Sequence, residues 1–198
     1  MTRLAHNRTI GFAAALSIAL AAAAIVAACG SDGAGNPDSK LSSEQATAPL
    51  GPAAPPELAS IREQGNEILG GGAEAFERRL DQLRGTPVVV NKWASWCAPC
   101  RAEFPFFQAQ AEERGDEIAF LGVDSDDSKD AARTFLEELP LPYPSYSDPE
   151  LEIAESLRVE REFPATVFID SSGEAVYEHL GGYGAEADLA AEIDRYAR

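Results

Sequence analysis

The stretch that decides the fold is residues 88–101, VVVNKWASWCAPCR. Its three valines form a short β-branched run, which is typical of a strand buried on both faces. Cys97 and Cys100 follow with two residues between them, and the sequence after them has helical periodicity. Cys97 is therefore expected near a helix N-terminus, where unpaired backbone N–H groups and the helix dipole favour negative charge. A thiolate there, with Arg101 close by, would be a nucleophile at neutral pH.

Strand and helix patterns alternate on both sides of this stretch. The predicted strands lie at residues 88–90, 118–123, 166–169 and 175–180, and the predicted helices have apolar faces spanning 58–68, 76–83, 104–111, 131–139, 151–157 and 189–196. Gly70 to Gly72 are expected to stop the first helix, and Asp148 with Pro149 to start the fifth. An alternation that ends in a hairpin and a helix predicts an α/β sandwich around a mixed sheet.

Composition narrows the classes of function. The chain has 198 residues, 45% of them hydrophobic, and a net charge of −17, so a packed core is feasible and nucleic acid should be repelled. Three cysteines are too few for a disulfide-stapled scaffold. The histidines are His6, near the N-terminus, and His179, which we expect to face solvent on a strand. This inventory does not suit zinc sites or Cys–His nucleophile pairs, so we expect no metal and no cofactor.

The N-terminal segment has the pattern of a secretory signal. A basic head is followed by an uncharged, alanine-rich run over residues 10–28. The run ends in Val26-Ala27-Ala28-Cys29, which resembles the lipobox of bacterial lipoproteins. That resemblance implies a signal peptide over residues 1–28 and lipidation of Cys29. The alternative is an uncleaved transmembrane anchor, because such a run is just long enough to span a bilayer. Both alternatives place the following chain outside the cytoplasm and tie it to the membrane.

The next segment, residues 29–56, is rich in Pro, Gly, Ser and Ala. Such a composition does not bury enough apolar surface to fold, so we predict a disordered tether. A flexible coil of this length spans roughly 30 Å. The folded domain is then expected at residues 57–198, in which residues 57–85 form a helical leader before the first central strand.

Two motifs carry a resemblance to a known family. Residues 96–105, WCAPCRAEFP, and residues 163–170, FPATVFID, resemble the active-site motif and the proline loop of the TlpA/ResA-like membrane-anchored thiol-disulfide oxidoreductases. The resemblance extends over residues 86–196. It implies a thioredoxin-like fold with the extra strand and helix of that branch between residues 124 and 159. A zinc ribbon would need a second cysteine pair, which the chain lacks.

The resemblance implies a role for each residue of the two motifs. Cys97 should be the exposed attacking thiolate, and Cys100 should resolve the mixed disulfide, so that the two form a redox-active pair. The Phe163–Pro164 peptide should be cis, and this loop and Trp96 should contact the substrate. The alternatives are a static disulfide and a proline that merely begins a strand.

Glu103 matches the family's active-site glutamate, which implies that it shuttles a proton or raises a thiol pKa. The alternative is a surface carboxylate on a helix. Asn91 stands where cytoplasmic thioredoxins carry a buried aspartate; since Asn does not take up a proton, Glu103 is the nearest candidate for acid–base work. Lys92 replaces an aromatic residue common in relatives, and the sequence offers no reason for it. Residues 124–127 form an acidic stretch that we expect to be a solvated turn rather than a metal site.

The function implied by the resemblance is disulfide exchange by a monomer. Its partners would be extracytoplasmic protein thiols or disulfides and a membrane or extracytoplasmic redox protein. The reducing direction, as relatives use in cytochrome c maturation, is favoured because Ala98-Pro99 contains no histidine. The alternatives are a disulfide-forming oxidase, a peroxidase of the related peroxiredoxin branch, and a copper carrier of the related Sco type. The peroxidase would place Thr or Ser in a Pro-led loop near its cysteine, and the carrier would need wider cysteine spacing and a histidine ligand.

Overall fold

The computed structural model of the chain describes residues 41–198. The predicted signal peptide, the predicted lipidation site Cys29 and the first part of the predicted tether lie outside these residues. Across the described part of the chain, no helix has both the length and the apolar character needed to cross a bilayer.

Six strands form the central sheet of the described residues: β1 (Ile68–Leu69), β2 (Val88–Trp93), β3 (Ala119–Ser125), β4 (Ser145–Asp148), β5 (Ala165–Ile169) and β6 (Ala175–Leu180). Their order across the sheet is β1-β4-β3-β2-β5-β6. Strands β1, β4, β3 and β2 run parallel to one another, whereas β5 runs antiparallel to β2 and β6 antiparallel to β5. The predicted mixed sheet is therefore confirmed.

Helices flank this sheet. Within residues 41–198 they are α1 (Ser43–Ala46), α2 (Pro56–Glu63), α3 (Gly72–Gln82), α4 (Ala98–Arg114), α5 (Lys129–Glu138), α6 (Glu152–Ser156) and α7 (Glu186–Tyr196). Helix α4 contacts α7, and α3 contacts α6. Strand β2 lies between β3 and β5 and leads directly into α4, so the cysteine pair sits where the central strand meets a helix.

All six residues of β2 are buried, but they are not all apolar. The three valines at its start are at most 2% exposed, as expected of a strand covered on both faces. Asn91 and Lys92, near its end, are each 1% exposed. Buried polar groups of this kind need partners inside the protein. The end of β2 next to the cysteines is therefore a place where side-chain chemistry is built into the core.

The first predicted helix is shorter than its apolar pattern suggests. Ile68, which was expected on the face of that helix, belongs with Leu69 to β1 at the edge of the sheet. The break occurs at Asn66, which adopts a positive φ of 64° and whose side-chain oxygen accepts a hydrogen bond from the Leu141 N–H at 3.0 Å. The prediction was wrong here because two apolar residues are too few to show a strand's alternation.

Part of the segment predicted as a tether is ordered in the structure. Ser42 and Gln45 form a capping box at the start of α1, and Ala46 is fully buried. The Arg62 side chain from α2 donates a hydrogen bond to the Ala48 carbonyl at 3.0 Å. The ordered chain therefore begins before Glu57, because a local capping signal and one buried alanine act where the overall composition suggested a coil.

The helix predicted to start at Pro149 starts later. Strand β4 ends at Asp148 and α6 begins at Glu152. The N-cap residue is Leu151 and not Asp148, but the Asp148 carboxylate still accepts hydrogen bonds from the N–H groups of Ile153 at 2.9 Å and Ala154 at 3.0 Å. The aspartate therefore binds the first turn of α6 from the end of the preceding strand.

Candidate active site

Cys97 and Cys100 form a disulfide at the N-terminus of α4. Cys97 is the N-cap residue, and its sulfur accepts a hydrogen bond from the Cys100 backbone N–H at 3.1 Å. Pro99 lies in the first turn, where its missing N–H leaves no hydrogen bond unmade. Once the disulfide is reduced, this position at the positive end of the helix favours a thiolate on Cys97.

The exposure of the cysteines corrects one expectation. Cys97 was expected to be exposed, but it is only 3% exposed in the disulfide, and Cys100 is fully buried. The exposed surface here belongs to Trp96, which is 56% exposed, and to Ala98 and Pro99. The Cys97 sulfur is covered because it is bonded to a partner inside the protein. Cys97 is still the more exposed of the two cysteines.

Arg101 does not stand free beside the disulfide. Its guanidinium pairs with Glu138 of α5 at 2.8 Å and lies over the ring of Phe135, 4.5 Å from the centroid. Half of the Arg101 side chain is exposed, so this pair is screened by solvent. Arg101 is therefore engaged by Glu138 and Phe135, and the helix N-terminus supplies positive potential at Cys97 independently of it.

Glu103 is fully buried on α4, three residues after Cys100. Its Oε1 accepts a hydrogen bond from Asn91 Nδ2 at 2.9 Å, and its Oε2 accepts one from the Tyr183 N–H at 3.2 Å. Burial raises the pKa of Glu103 to about 7, although both hydrogen bonds act in the opposite direction. The alternative of a surface carboxylate is therefore wrong. A carboxyl with this pKa can take up or release a proton near neutral pH.

The polar surroundings of Glu103 fit both of its protonation states. Asn91 lies opposite Thr166 in the β2–β5 register, and within the described residues Asn91 Oδ1 and Thr166 Oγ1 are buried without a hydrogen-bond partner. An amide carries a donor and an acceptor on one planar group. A half-turn of the Asn91 amide would therefore present its oxygen to protonated Glu103, and the present orientation presents its N–H to the carboxylate. An aspartate at position 91 would instead compete for the proton.

Helix α4, the proline loop and the segment after β6 meet at Gly182. A Cβ atom on this exposed glycine would lie 3.6 Å from Glu103 Oε2, from Pro164 Cγ and from Pro99 Cβ. Pro164 is buried, and the Phe163–Pro164 peptide is cis, as predicted. The structure thus brings together the cysteine helix, the glutamate and the proline that the sequence singled out.

Trp96 and Phe163 form what we call the aromatic rim, with ring centroids 4.7 Å apart. Trp96 Nε1 donates a hydrogen bond to the Asp126 carbonyl at 2.9 Å, and the Asp127 carboxylate accepts one from the Ser95 N–H at 2.6 Å. Sequence reasoning missed this anchoring of the rim. The available signal was position, because the carboxyl ends of adjacent parallel strands lie at one edge of a sheet.

Asp124 corrects the expectation of a solvated acidic turn. It lies on β3 and is fully buried, and neither carboxylate oxygen receives a hydrogen bond from a donor in the described residues. Burial, and after it the nearby Asp127 carboxylate, raises the pKa of Asp124 to about 8. No group of three or more His, Cys, Asp or Glu side chains in residues 41–198 is placed to hold a metal ion.

His179 was expected to face solvent but is partly buried on β6. Its ring stacks on Tyr183 with centroids 4.1 Å apart, and its Nδ1 lies 3.1 Å from a Glu192 carboxylate oxygen. The Tyr183 hydroxyl donates to the same carboxylate at 2.7 Å. Since the Tyr183 N–H is a partner of Glu103, this cluster fixes the segment that covers the buried glutamate.

Comparison with known proteins agrees with this geometry. The AhpC/TSA family matches residues 65–178, which contain both cysteines, Glu103 and Pro164. The thiol-disulfide oxidoreductase ResA of Oceanobacillus iheyensis is 33% identical over 99 residues, which are 48% of this chain and 50% of that protein. The thiol:disulfide interchange protein HelX of Rhodobacter capsulatus is 43% identical over 72 residues, 36% of this chain and 39% of that protein. The chain thus spans half or less of the length of these two relatives.

Solved structures give the same picture. A DsbF homologue from Corynebacterium diphtheriae matches with a TM-score of 0.51 and 28% identity, covering 59% of this chain and 75% of that one. The exposed lipoprotein thioredoxin Etrx1 of Streptococcus pneumoniae matches with a TM-score of 0.50 and 27% identity, covering 59% and 89%. These similarities confirm the thioredoxin-like fold and the resemblance to thiol-disulfide oxidoreductases that the two motifs indicated.

Proposed function

The chain belongs to the AhpC/TSA family, and we propose that it is a thiol-disulfide oxidoreductase that exchanges disulfides with protein substrates through Cys97 and Cys100. The observation that carries the proposal is the Cys97–Cys100 disulfide at a helix N-terminus beside a buried carboxyl whose pKa lies near neutrality. The similarity to ResA, HelX and DsbF-like proteins supports it.

The reaction follows from thiol chemistry. The Cys97 thiolate attacks one sulfur of a substrate disulfide, forms a mixed disulfide and releases the other substrate sulfur as a thiolate, which is then protonated from solvent. The Cys100 thiol must next lose its proton, after which its thiolate attacks the Cys97 sulfur. The second substrate thiolate leaves, and the Cys97–Cys100 disulfide is restored. Two electrons have then passed from the protein to the substrate.

Glu103 is the proposed base for the second step. It lies one helical turn from Cys100 on the same helix, and its pKa of about 7 lets it accept the thiol proton near neutral pH. Asn91 and the Tyr183 N–H hold the carboxylate in place. The aromatic rim and Pro164 are the proposed contact surface for the substrate segment that carries the disulfide.

The proposed direction is reduction of extracytoplasmic disulfides, as in cytochrome c maturation, with electrons supplied by a membrane or extracytoplasmic redox partner. The absence of histidine from Ala98-Pro99 supports this direction. Equilibration of the Cys97/Cys100 couple with glutathione buffers tests it. A reductant is expected to have a potential below about −220 mV, and a value near that of DsbA, about −120 mV, would instead favour the oxidase.

Lipid attachment at Cys29 is the proposed means of anchoring a monomeric domain to the outer face of the membrane. The lipobox-like residues 26–29 support it, and the similar pneumococcal protein is itself named a lipoprotein. Mass spectrometry of membrane-extracted protein should find a chain that begins at an acylated Cys29. A chain that retains residues 1–28 would instead favour the uncleaved anchor.

Trapping of mixed disulfides tests the central proposal. The reduced Cys100→Ser variant should accumulate a disulfide between Cys97 and oxidised insulin, because the resolving thiol is missing. Cys97→Ser should trap almost none, because Cys100 is fully buried. Trapping through Cys100 alone would reverse the assigned roles, and absence of any exchange by the native protein would refute the proposal.

The same reduced protein separates the remaining alternatives. Rapid oxidation by hydrogen peroxide, without exchange with insulin, would favour the peroxidase. Stoichiometric binding of copper by the cysteine pair would favour the copper carrier. We expect neither result, because Ala94-Ser95-Trp96 precedes Cys97 in place of the Pro-led loop and because His179 pairs with Glu192.

A further inference from the structure

Lys92 is a buried lysine at the end of the central strand β2, and the function described so far does not use it. It is 1% exposed, although lysine is among the residues least often buried. A buried ammonium is retained only when partners compensate for its lost hydration. Its partners therefore indicate what the residue does.

All three donors of the Lys92 ammonium are used on one loop. Nζ lies 2.7 Å from the Val159 carbonyl, 3.2 Å from the Glu160 carbonyl and 2.8 Å from the Glu162 carbonyl. Only the charged amine has three N–H groups to donate. The ammonium thus gathers the main chain of residues 159–162, the loop that leads into Phe163 and Pro164.

The same ammonium contacts the inner residue of the aromatic rim, Phe163. Nζ lies 3.5 Å from the centroid of the Phe163 ring, a close cation–π contact. The Phe163 ring in turn contacts Trp96, which is more than half exposed next to Cys97. An unbroken series of contacts therefore runs from Lys92 through Phe163 to Trp96.

We propose that Lys92 is a positioning residue for protein substrates, which holds the loop before Pro164 and the aromatic rim in the arrangement that a disulfide-bearing segment must meet. This inference rests on the proposed disulfide exchange. It adds to that function a residue that is buried and whose ammonium contacts the loop before Pro164 and the Phe163 ring. Lys92 acts on recognition of the substrate and leaves the thiol chemistry itself unchanged.

The charge surrounding Lys92 fits this role. Burial lowers the pKa of Lys92 to about 8, while the carboxylates of Glu162, Asp148, Glu160 and Asp126 act in the opposite direction. At neutral pH the ammonium is present and makes three hydrogen bonds. Above pH 8 the neutral amine has only two hydrogens and no charge to offer the Phe163 ring, so the loop should loosen.

Lys92→Met tests the proposal, because methionine fills a similar volume without hydrogen bonds or charge. In single-turnover reduction by the reduced protein, the insulin concentration that gives half of the maximal rate should be about tenfold higher, the range expected when a well-packed contact surface is disturbed. Reduction of hydroxyethyl disulfide, which is too small to need the rim, should be unchanged. Gln108→Leu is the matched control. Gln108 is a buried residue of α4 whose side chain donates a hydrogen bond to the Pro140 carbonyl, and its replacement should alter neither reaction.

The native protein provides a second measurement should Lys92→Met fail to fold. The ratio of insulin reduction to hydroxyethyl disulfide reduction should fall as the pH rises from 7 to 9.5, and it should fall equally in Asp124→Asn, which removes the other buried group with a pKa of about 8. Titration of the cysteines and Glu103 affects both reactions. Equal losses with both disulfides in Lys92→Met, or a constant ratio in the native protein, would overturn the inference. If the native protein reduces neither disulfide, the proposed function itself fails.

Discussion

Two buried ionisable side chains, an acid on α4 and a base on β2, lie on the elements that lead into and out of the Cys97–Cys100 pair, and their partners differ in kind. On one side Glu103 is held by two donors, the Asn91 amide and the Tyr183 N–H. On the other side Lys92 is held by three main-chain carbonyls and the face of Phe163. We call these two sides the glutamate flank and the lysine flank.

The difference shows how burial of a charge can serve two purposes. The Asn91 amide is able to donate to a carboxylate or accept from a carboxyl, so the glutamate flank fits either protonation state of Glu103. The carbonyls around Lys92 accept hydrogen bonds only, so the lysine flank fits the ammonium alone. The first arrangement suits proton transfer, and the second suits a fixed position. Chemistry and recognition are thereby assigned to separate sides of one disulfide.

Glu103→Gln should have the largest effect, because it removes the proposed base from the glutamate flank while keeping the shape. We expect the step in which Cys100 displaces the substrate to slow by about 100-fold, at the lower end of general-base effects, with mixed disulfides accumulating in rapid-quench experiments. The inflection near pH 7 in that step should vanish with the carboxyl. Loss of the ionised neighbour should also let Cys97 react with alkylating agents at lower pH, because a like charge disfavours the thiolate.

Glu113→Gln is the control for this prediction, since Glu113 is an exposed carboxylate on the same helix. It should leave the rate, the pH profile and the alkylation of Cys97 unchanged. An unchanged pH profile in Glu103→Gln would show that the glutamate flank has a structural role only. The two flanks would then not differ in function, because both would only hold neighbouring segments in place.

Trp96→Ala should have a smaller effect, confined to the lysine flank. Removing the exposed ring takes away the outer half of the aromatic rim, so kcat/KM for insulin should fall about tenfold, mainly through KM. Reduction of hydroxyethyl disulfide and the alkylation profile of Cys97 should stay as they are. Val176 is also an exposed apolar residue but lies on β6, and Val176→Ala should change neither insulin reduction nor the alkylation of Cys97. An equal loss with the small disulfide would place Trp96 in the chemistry.

Sequence patterns were sufficient for the parts of this molecule that repeat. The valine run, the helix periods and the final hairpin follow from local rules, and the two motifs correctly brought Cys97, Cys100, Glu103 and Pro164 together. Burial of Glu103 was not predictable, because helix spacing does not show that Gly182 and Tyr183 come back from the end of the chain to cover it. Such contacts depend on how distant segments meet.

The failures share this cause. The sequence offered no interpretation of Lys92 because its three acceptors are main-chain carbonyls some seventy positions later. Every residue has such a carbonyl, so the amino-acid types at those positions do not show which ones will bind the lysine. Asp124 was taken for part of a turn because an acidic residue at a strand end is usually solvated. In the structure β3 continues to Ser125, and Asp124 is paired with Trp93 of β2 and with Ser147 of β4. Asp124 therefore lies within the sheet and not in the turn that follows it.

Asp124 provides the last and smallest test, since it is a buried carboxyl like Glu103 but belongs to neither flank. Its pKa in the folded protein is raised from 3.8 to about 8, so folding binds its proton more tightly than the unfolded chain does. The stability that this proton confers is complete below pH 4 and is lost as the pH rises through 8. Asp124→Asn does not titrate, so its advantage in Tm over the native protein should grow from pH 5 to pH 9.

The expected gain at pH 9 is about 1–3 kcal/mol, the usual cost of an unsatisfied buried polar group, or about 2–4 °C in Tm for each kcal/mol. Disulfide exchange should be unaffected, because Asp124 makes no hydrogen bond in the described residues to the cysteines, to Glu103 or to the aromatic rim. Asp116→Asn, on an exposed carboxylate, should show no such pH trend. The Tm values of the oxidised native protein, Asp124→Asn and Asp116→Asn are measured by thermal unfolding at each pH. A Tm difference that stays constant from pH 5 to pH 9 would mean that Asp124 is ionised throughout, and partners for its charge would then have to exist beside β3.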